Sequence, residues 1–270
     1  SMFFSTEMSL LAKLLRGKPL QMANEIHSII WSFTYAAGMA VSGFVVNWYG
    51  VKTAFMIDAM IFAIALIVFI RIDFVVKAST ATDKILQLVK DGFTYIKNDK
   101  IILHLIFLHS SVGLTSFDAL ITILAKNEYK YIISVPLAIG LSNAVRAVAL
   151  MFGPLLISKY VTKENLHYLM IFQGMAIILW GFMQSNFYIS LIALFIVGLS
   201  TTTLWSFTYA LLQDNCDERY IGRVISYNDM FFMLSCVVTT LFIGLMASLT
   251  SVDIITILLG LGFLAFAFYY

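Results

Sequence analysis

Apolar stretches of near-constant length recur along the whole chain, separated by short polar links. Stretches 26–48, 53–72, 101–125, 132–158, 166–183, 187–212, 224–249 and 254–270 are each nearly free of charge. A helix needs about 20 mostly apolar residues to cross the hydrocarbon core of a bilayer. Backbone groups in lipid must pair within their own segment, so such runs are helices or closed barrel strands. Barrel strands alternate over about ten residues, which these uniform runs do not. The pattern predicts an all-α membrane protein with about eight transmembrane helices.

Polar positions follow a rhythm of three. The second, fifth and eighth stretches are nearly featureless, holding little beyond Asp58, Gln173 and Thr256. The third carries His104, Ser111, Thr115, Asp118 and Thr122; the fourth, Ser142, Asn143 and Arg146. The sixth carries residues 200–203, Ser206, Tyr209 and Gln213; the seventh, Ser226, Asn228, Asp229, Ser235, Thr239 and Thr240. Two polar helices and one bland one describe a three-helix unit whose third member faces lipid, an arrangement found in transporters built from repeats around a central site.

The links add orientation. Lys13, Arg16 and Lys18 precede the first stretch, and Arg71, Lys77, Lys84, Lys90, Lys97 and Lys100 lie between the second and third. Lys159 and Lys163 follow the fourth, and Arg219 and Arg223 follow the sixth, all on one side of the membrane. The opposite side has Lys52, Lys126 and Lys130. Positive charge concentrates on cytoplasmic loops, which places the start of the chain in the cytoplasm. The longest link, 73–99, turns amphipathic: Ile85, Leu88, Val89, Gly92 and Ile96 share a helical face, as in a helix lying on the inner leaflet or a short solvated one. It divides the chain into 1–72, the last two helices of an amino-terminal bundle, the linker 73–99, and 100–270, a six-helix carboxy-terminal bundle. The chain opens on Ser1-Met2-Phe3-Phe4 and stops at Tyr270 without a polar tail, which reads as a fragment with four helices missing in front.

Composition narrows the function classes. With 61% hydrophobic and 12% charged residues, a soluble domain is excluded. There is no Gly-rich phosphate loop and no His/Cys cluster at metal-ligand spacing, so the expectation is no enzyme, no cofactor, no metal and no nucleic acid. Cys216 and Cys236 suggest neither a disulfide nor a metal site.

Chemistry within the membrane concentrates on a few groups. His104, Ser111, Thr115, Asp118 and Thr122 fall at steps of seven, four, three and four, one face of a continuous helix. Asp118 sits about 10 Å from the outer helix end at 1.5 Å per residue. A titratable group there faces a cavity or a partner: either it exchanges a proton for substrate, or it makes a structural polar contact. Arg146, near mid-helix beside Ser142 and Asn143, cannot snorkel and so pairs with Asp118, meets substrate or forms a purely structural pair. His109, on the opposite face from Asp118, reads as a packed, hydrogen-bonded histidine. Thr202, Ser206, Tyr209 and Gln213, with Trp205 beside them, suit either a cavity for a bulky amphiphile or helix-to-helix hydrogen bonds.

Several short motifs occur in an order that resembles the major facilitator superfamily, specifically the enterobactin-exporter and macrolide-efflux branch. Ala23-Asn24 is similar to that branch's approach to transmembrane helix five, and Ile57-Asp58-Ala59-Met60 to the start of its helix six. Gly92-Phe93-Thr94-Tyr95-Ile96 resembles its central loop, and Gln213 through Gly222-Arg223-Val224 its link between helices ten and eleven. Residues 38–43 depart from the Gly-Pro-x-x-Gly-Gly of the family's antiporters: the proline is absent and Ser42 stands for one glycine. Gly38 and Gly43 still permit close helix packing.

The resemblance implies a partial major facilitator fold and a proton-coupled secondary exporter of a drug or siderophore, monomeric when full length, in a bacterial inner membrane. Its partners would be the bilayer, a small-molecule substrate and protons. Asp217, Arg219, Gly222 and Arg223, with Asp229 as a deeper partner, would form a cytoplasmic latch. Lysophospholipid transport and a non-transporting scaffold or sensor on the same fold are the rival readings.

Overall fold

The computed structural model describes residues 8, 11, 12, 14–71 and 85–270. Nine α-helices are defined there: α1 (Lys18–Ile70), α2 (Ile85–Asn98), α3 (Lys100–Ser110), α4 (Asp118–Asn127), α5 (Val135–Ile157), α6 (Leu166–Met183), α7 (Phe187–Asn215), α8 (Ile221–Met246) and α9 (Val252–Tyr269). A 3-10 turn, Ser111–Thr115, joins α3 to α4.

Helix α1 combines the first two apolar stretches. Its 53 residues would measure about 80 Å, more than twice the hydrocarbon thickness. The break falls at Gly50, whose φ of 80° is a left-handed value that glycine adopts without steric cost. Counted as one helix, α1 is among seven segments long and apolar enough to cross a membrane among the described residues. Split at Gly50 it supplies two crossings, as the sequence pattern predicts.

The third stretch is not the continuous helix that the pattern predicts. It runs as α3, the 3-10 turn, a two-residue non-helical step at Ser116 and Phe117, and then α4. Gly113 explains why the chain tolerates this: a Cβ there would lie 2.6 Å from Ser235 Cβ and 3.0 Å from Cys236 N. The turn is pressed directly against the backbone of α8.

Glycine faces set the other crossings. Lipid provides little hydrophobic drive between helices, so close packing of small residues carries association. Gly174 of α6 and Gly260 of α9 abut, a Cβ on either lying within 2.8 Å of the other's carbonyl oxygen. Gly198 of α7 sits on Arg146 O and Ala149 Cβ of α5, with Gly153 against the Leu199 carbonyl. The two nearly featureless helices α6 and α9 therefore pack on each other and turn Phe172, Phe182, Leu261 and Phe268 outward. Their few polar groups join neighbours: Gln173 Oε1 accepts from Ser200 and Thr201 of α7, and Thr256 donates to Gln184 Oε1.

The first limb of α1 lies along α5 and α7. Gly43 meets Gly140 and the Pro136 carbonyl at one end, where Ser134 Oγ also donates to Asn47 Oδ1 at 2.5 Å. A Cβ on Gly38 would meet nothing within 4 Å, because five residues separate it from Gly43 and place it about 140° around the helix. Beyond Gly50 the second limb, 51–70, is exposed along nearly its whole length.

The amphipathic linker helix is present as α2, with Gly92 and Ile96 buried and Leu88, Val89 and Phe93 exposed. Gly92 rests on Arg223 and Tyr227 of α8, and Tyr227 OH donates to the Val89 carbonyl at 2.9 Å. Lys77 and Lys84 lie outside the described residues.

Candidate functional site at a broken helix

The break between α3 and α4 carries an exposed carboxylate on its far side and takes a bond from a cation on its near side. Asp118 is the first residue of α4, where free N–H groups and the helix dipole favour negative charge. Its side chain is exposed to open space, and Tyr35 OH of α1 donates to its Oδ1 at 3.4 Å. The same phenol is 3.4 Å from Asn143 Oδ1 of α5, a second acceptor for its single proton. Tyr35 thus bridges α1, α4 and α5.

Arg146 does not pair with Asp118. No cationic nitrogen lies within 4.0 Å of Asp118 among the described residues. Instead Arg146 Nη1 donates to the Thr115 carbonyl at 3.1 Å, while its guanidinium lies 5.5 Å from the Phe117 ring centroid. Thr115 O also receives the Phe117 N–H at 2.9 Å, a contact created by the break. Arg146 therefore braces the non-helical step. Its Nε is buried with no partner, leaving one donor of the guanidinium uncommitted.

The break also dissolves the expected polar stripe. His104 faces α9, with its Nδ1 3.1 Å from Tyr269 OH. Ser111 and Thr115 turn back onto the carbonyls of Leu108 and Val112, and Thr122 onto that of Asp118. Of the candidates for the proton-coupling site, Asp118, Arg146 and Asn143 come together, while His104 does not join them. Ser142 is buried beside Asn143.

On α7 the stripe divides by depth. Thr202 is buried, Ser206 donates to the Thr203 carbonyl, and Trp205 is half-buried with its ring stacked on Tyr209 at 4.7 Å. Tyr209 OH donates to Asp229 Oδ1 of α8 at 3.1 Å. Gln213 points elsewhere: its Oε1 accepts from Asn24 of α1 at 2.7 Å and its Nε2 donates to the Met8 carbonyl.

Around the α7–α8 link, Arg219 donates to both carboxylate oxygens of Asp217 and holds that carboxyl below its ordinary range. Arg16 reaches Gln213 O and Glu218 from the start of α1, and the Gly17 N–H donates to Asp214. From the other side, Tyr95 OH accepts the Asp217 N–H, and its ring stacks on Tyr220 at 4.4 Å and 3°. Arg223 lies over the Tyr220 ring. Burial raises the Tyr95 phenol and pushes the Cys216 thiol up to about 11. Gly222 occupies the first turn of α8, not a left-handed turn, and Asp229 bonds Tyr209 rather than either arginine of the link among the contacts described. Among the described residues no cluster of His, Cys, Asp or Glu could hold a metal ion.

Sequence reasoning missed Tyr35, Phe117 and Thr208. Tyr35 carries the one available signal, a phenol near the middle of an apolar stretch.

These features define a polytopic all-α membrane protein whose polar site lies at an interrupted helix. The sequence profile of the Major Facilitator Superfamily matches residues 1–240, and the chain belongs to that family of secondary transporters. No curated protein and no solved structure matches it significantly.

Proposed function

We propose that the protein exports a small amphiphilic compound, a drug or siderophore, in exchange for protons by alternating access. The observation that carries this reading is Tyr35 of α1 bonded to both Asp118 and Asn143 beside Arg146. A carboxylate at an interrupted helix within an apolar stretch, bridged by a phenol to a neighbouring helix, is a candidate coupling group in a transporter. Assigning α1 to an amino-terminal bundle and 100–270 to a carboxy-terminal one makes Tyr35 the group that breaks contact when the bundles rock apart. Arg16, Lys97, Lys100, Lys163, Arg219 and Arg223 gather at one end through the contacts of α1, α2, α7, α8 and α9, and this end is the cytoplasmic one in a bacterial inner membrane. The salt-bridged link Asp217–Arg219 serves as part of the latch on that side.

The test is efflux of a dye, drug and siderophore panel from cells lacking their own exporters, with and without an uncoupler. Uncoupler-sensitive efflux that disappears in Asp118→Asn supports the reading. Efflux indifferent to both the uncoupler and the substitution overturns the proton coupling, and no efflux of any solute overturns the exporter.

A further inference from the structure

The linker helix α2 presents two exposed flanks of opposite chemistry. Its inner face is set by Gly92, which rests on Arg223 and Tyr227 of α8, and by buried Ile96. At 100° per residue, Val89, Phe93, Lys97 and Lys90 fall within about 100° of arc on one side of that face. All four are exposed. Asp91, the one acidic residue of α2, lies about 160° from Phe93 and lines a hollow with Tyr95, Asn98, Asp99, Lys100 and Tyr220. The Phe93 flank therefore carries two ammonium groups and no carboxylate.

That flank continues an apolar surface of α8. The Phe93 ring packs on Tyr227, with 6.2 Å between centroids, and Tyr227 OH donates to the Val89 carbonyl at 2.9 Å. From Tyr227 a stripe runs along α8 through Met230, Leu234, Val238, Leu241 and Leu245, at steps of three and four. These five side chains are 51–70% exposed, and on a membrane-spanning helix such a stripe lies against lipid tails. From the stripe outward the order is aliphatic, then aromatic at Tyr227 and Phe93, then basic at Lys97 and Lys90.

Aromatic rings and basic residues collect at the level of the lipid headgroups, where a lysine stem stays in the apolar layer and its ammonium reaches phosphate. A zwitterionic headgroup carries its own cation, whereas an anionic one leaves its phosphate charge for the protein to meet. We propose that the Phe93 flank of α2 binds anionic phospholipid. Lys90 and Lys97, two turns apart, each meet a headgroup phosphate, and the acyl chains lie along Phe93, Val89 and the α8 stripe. The assignment goes beyond the transport reading and depends on neither the solute carried nor proton coupling.

The test places Phe93→Trp in nanodiscs of equal parts phosphatidylglycerol and phosphatidylcholine, with bromine on the acyl chains of one lipid or the other. The protein without this substitution gives the baseline of the four native tryptophans. The added emission is expected to be quenched at least twofold more strongly when phosphatidylglycerol carries the bromine. That preference is expected to vanish in Lys90→Gln combined with Lys97→Gln, and to shrink at raised salt, which screens exposed charge. Emission that neither lipid quenches puts the flank in water or against protein and overturns the proposal. Equal quenching by the two lipids overturns the anionic preference, and a preference that survives both the double substitution and salt overturns the role of the lysines. Should the double variant fail to fold, Lys97→Gln alone and the salt series still decide.

Discussion

The side-chain amide of Asn24 donates to that of Gln213 across 2.7 Å, joining positions 189 residues apart. Both residues are fully buried, and Gln213 uses its own Nε2 on the Met8 carbonyl. The first limb of α1 is thus fixed to α7 at the basic end by a bond between two buried amides. Replacing Gln213 by Leu removes both of its bonds and strands the Asn24 Nδ2. A stranded buried polar group costs about 1–3 kcal/mol. Gln213→Leu is expected to lower the melting temperature in detergent by several degrees. It should also speed maleimide labelling of a cysteine placed at buried Ser28. Unchanged labelling would show that the amide pair does not hold this end closed.

At the other end of the same limb, Gly43 and Gly140 bring two helix backbones into contact. A Cβ on Gly140 would lie 2.9 Å from both Gly43 Cα and Met39 O, and neither is the flexible end of a side chain. Gly140→Val therefore forces α1 from α5, an overpacking strain of about 1–3 kcal/mol. A cysteine pair replacing Asn47 and Ser134, whose side chains meet at 2.5 Å, reports the separation. Oxidative cross-linking is expected in the otherwise unchanged protein and is expected to fall severalfold when Gly140→Val is added. Equal cross-linking would mean that the crossing tolerates the extra methyls.

The apolar spans were legible because hydropathy is a bulk property of about 20 residues and survives any local irregularity. Leu166–Met183 matches its predicted bounds, and the fourth, sixth, seventh and eighth stretches shift by at most three residues at either end, while the first begins eight residues earlier than predicted, at Lys18, and joins the second in one kinked helix. The broken third helix was not legible. The steps from His104 to Thr122 fit one helical face only if the helix is continuous, and the interruption depends on Gly113 meeting α8, a tertiary contact. For the same reason Asp118, Asn143 and Arg146 could be singled out as polar groups in apolar stretches, whereas the bridge through Tyr35 and the brace on Thr115 could not. The linker motif around Gly92 and the motif through Arg223 were read separately; their meeting appears only in the fold.

Arg146 is a geometric brace, not simply a positive charge. One nitrogen holds the Thr115 carbonyl while the planar guanidinium covers Phe117. Lysine keeps the charge but lacks the planar fork, so it cannot serve both contacts in the same way. Arg146→Lys is expected to reach the membrane and remain monodisperse yet lose at least tenfold in transport rate. Transport equal to the unsubstituted protein would show that charge alone suffices at this position.

Tyr129 offers a test in alkaline solution. It lies in the link between α4 and α5, almost completely buried, with its OH donating to the Gln184 carbonyl at 2.6 Å. Burial pushes its phenol up to about 12, from about 10 for an unperturbed tyrosine. The folded pKa is raised, so the contribution to stability is complete below pH 10 and is lost as pH rises toward 12. Tyr129→Phe removes the bond at every pH at a cost of about 1 kcal/mol. The gap in melting temperature between the unsubstituted protein and Tyr129→Phe is therefore expected to stay constant from pH 7 to just below 10, to close between about pH 10 and 11, and to reverse as pH approaches 12. Thermal melts in detergent across that range measure it. A gap that stays constant to pH 12 would mean that Tyr129 ionises no more readily unfolded than folded, and that burial at this link is not what sets its titration.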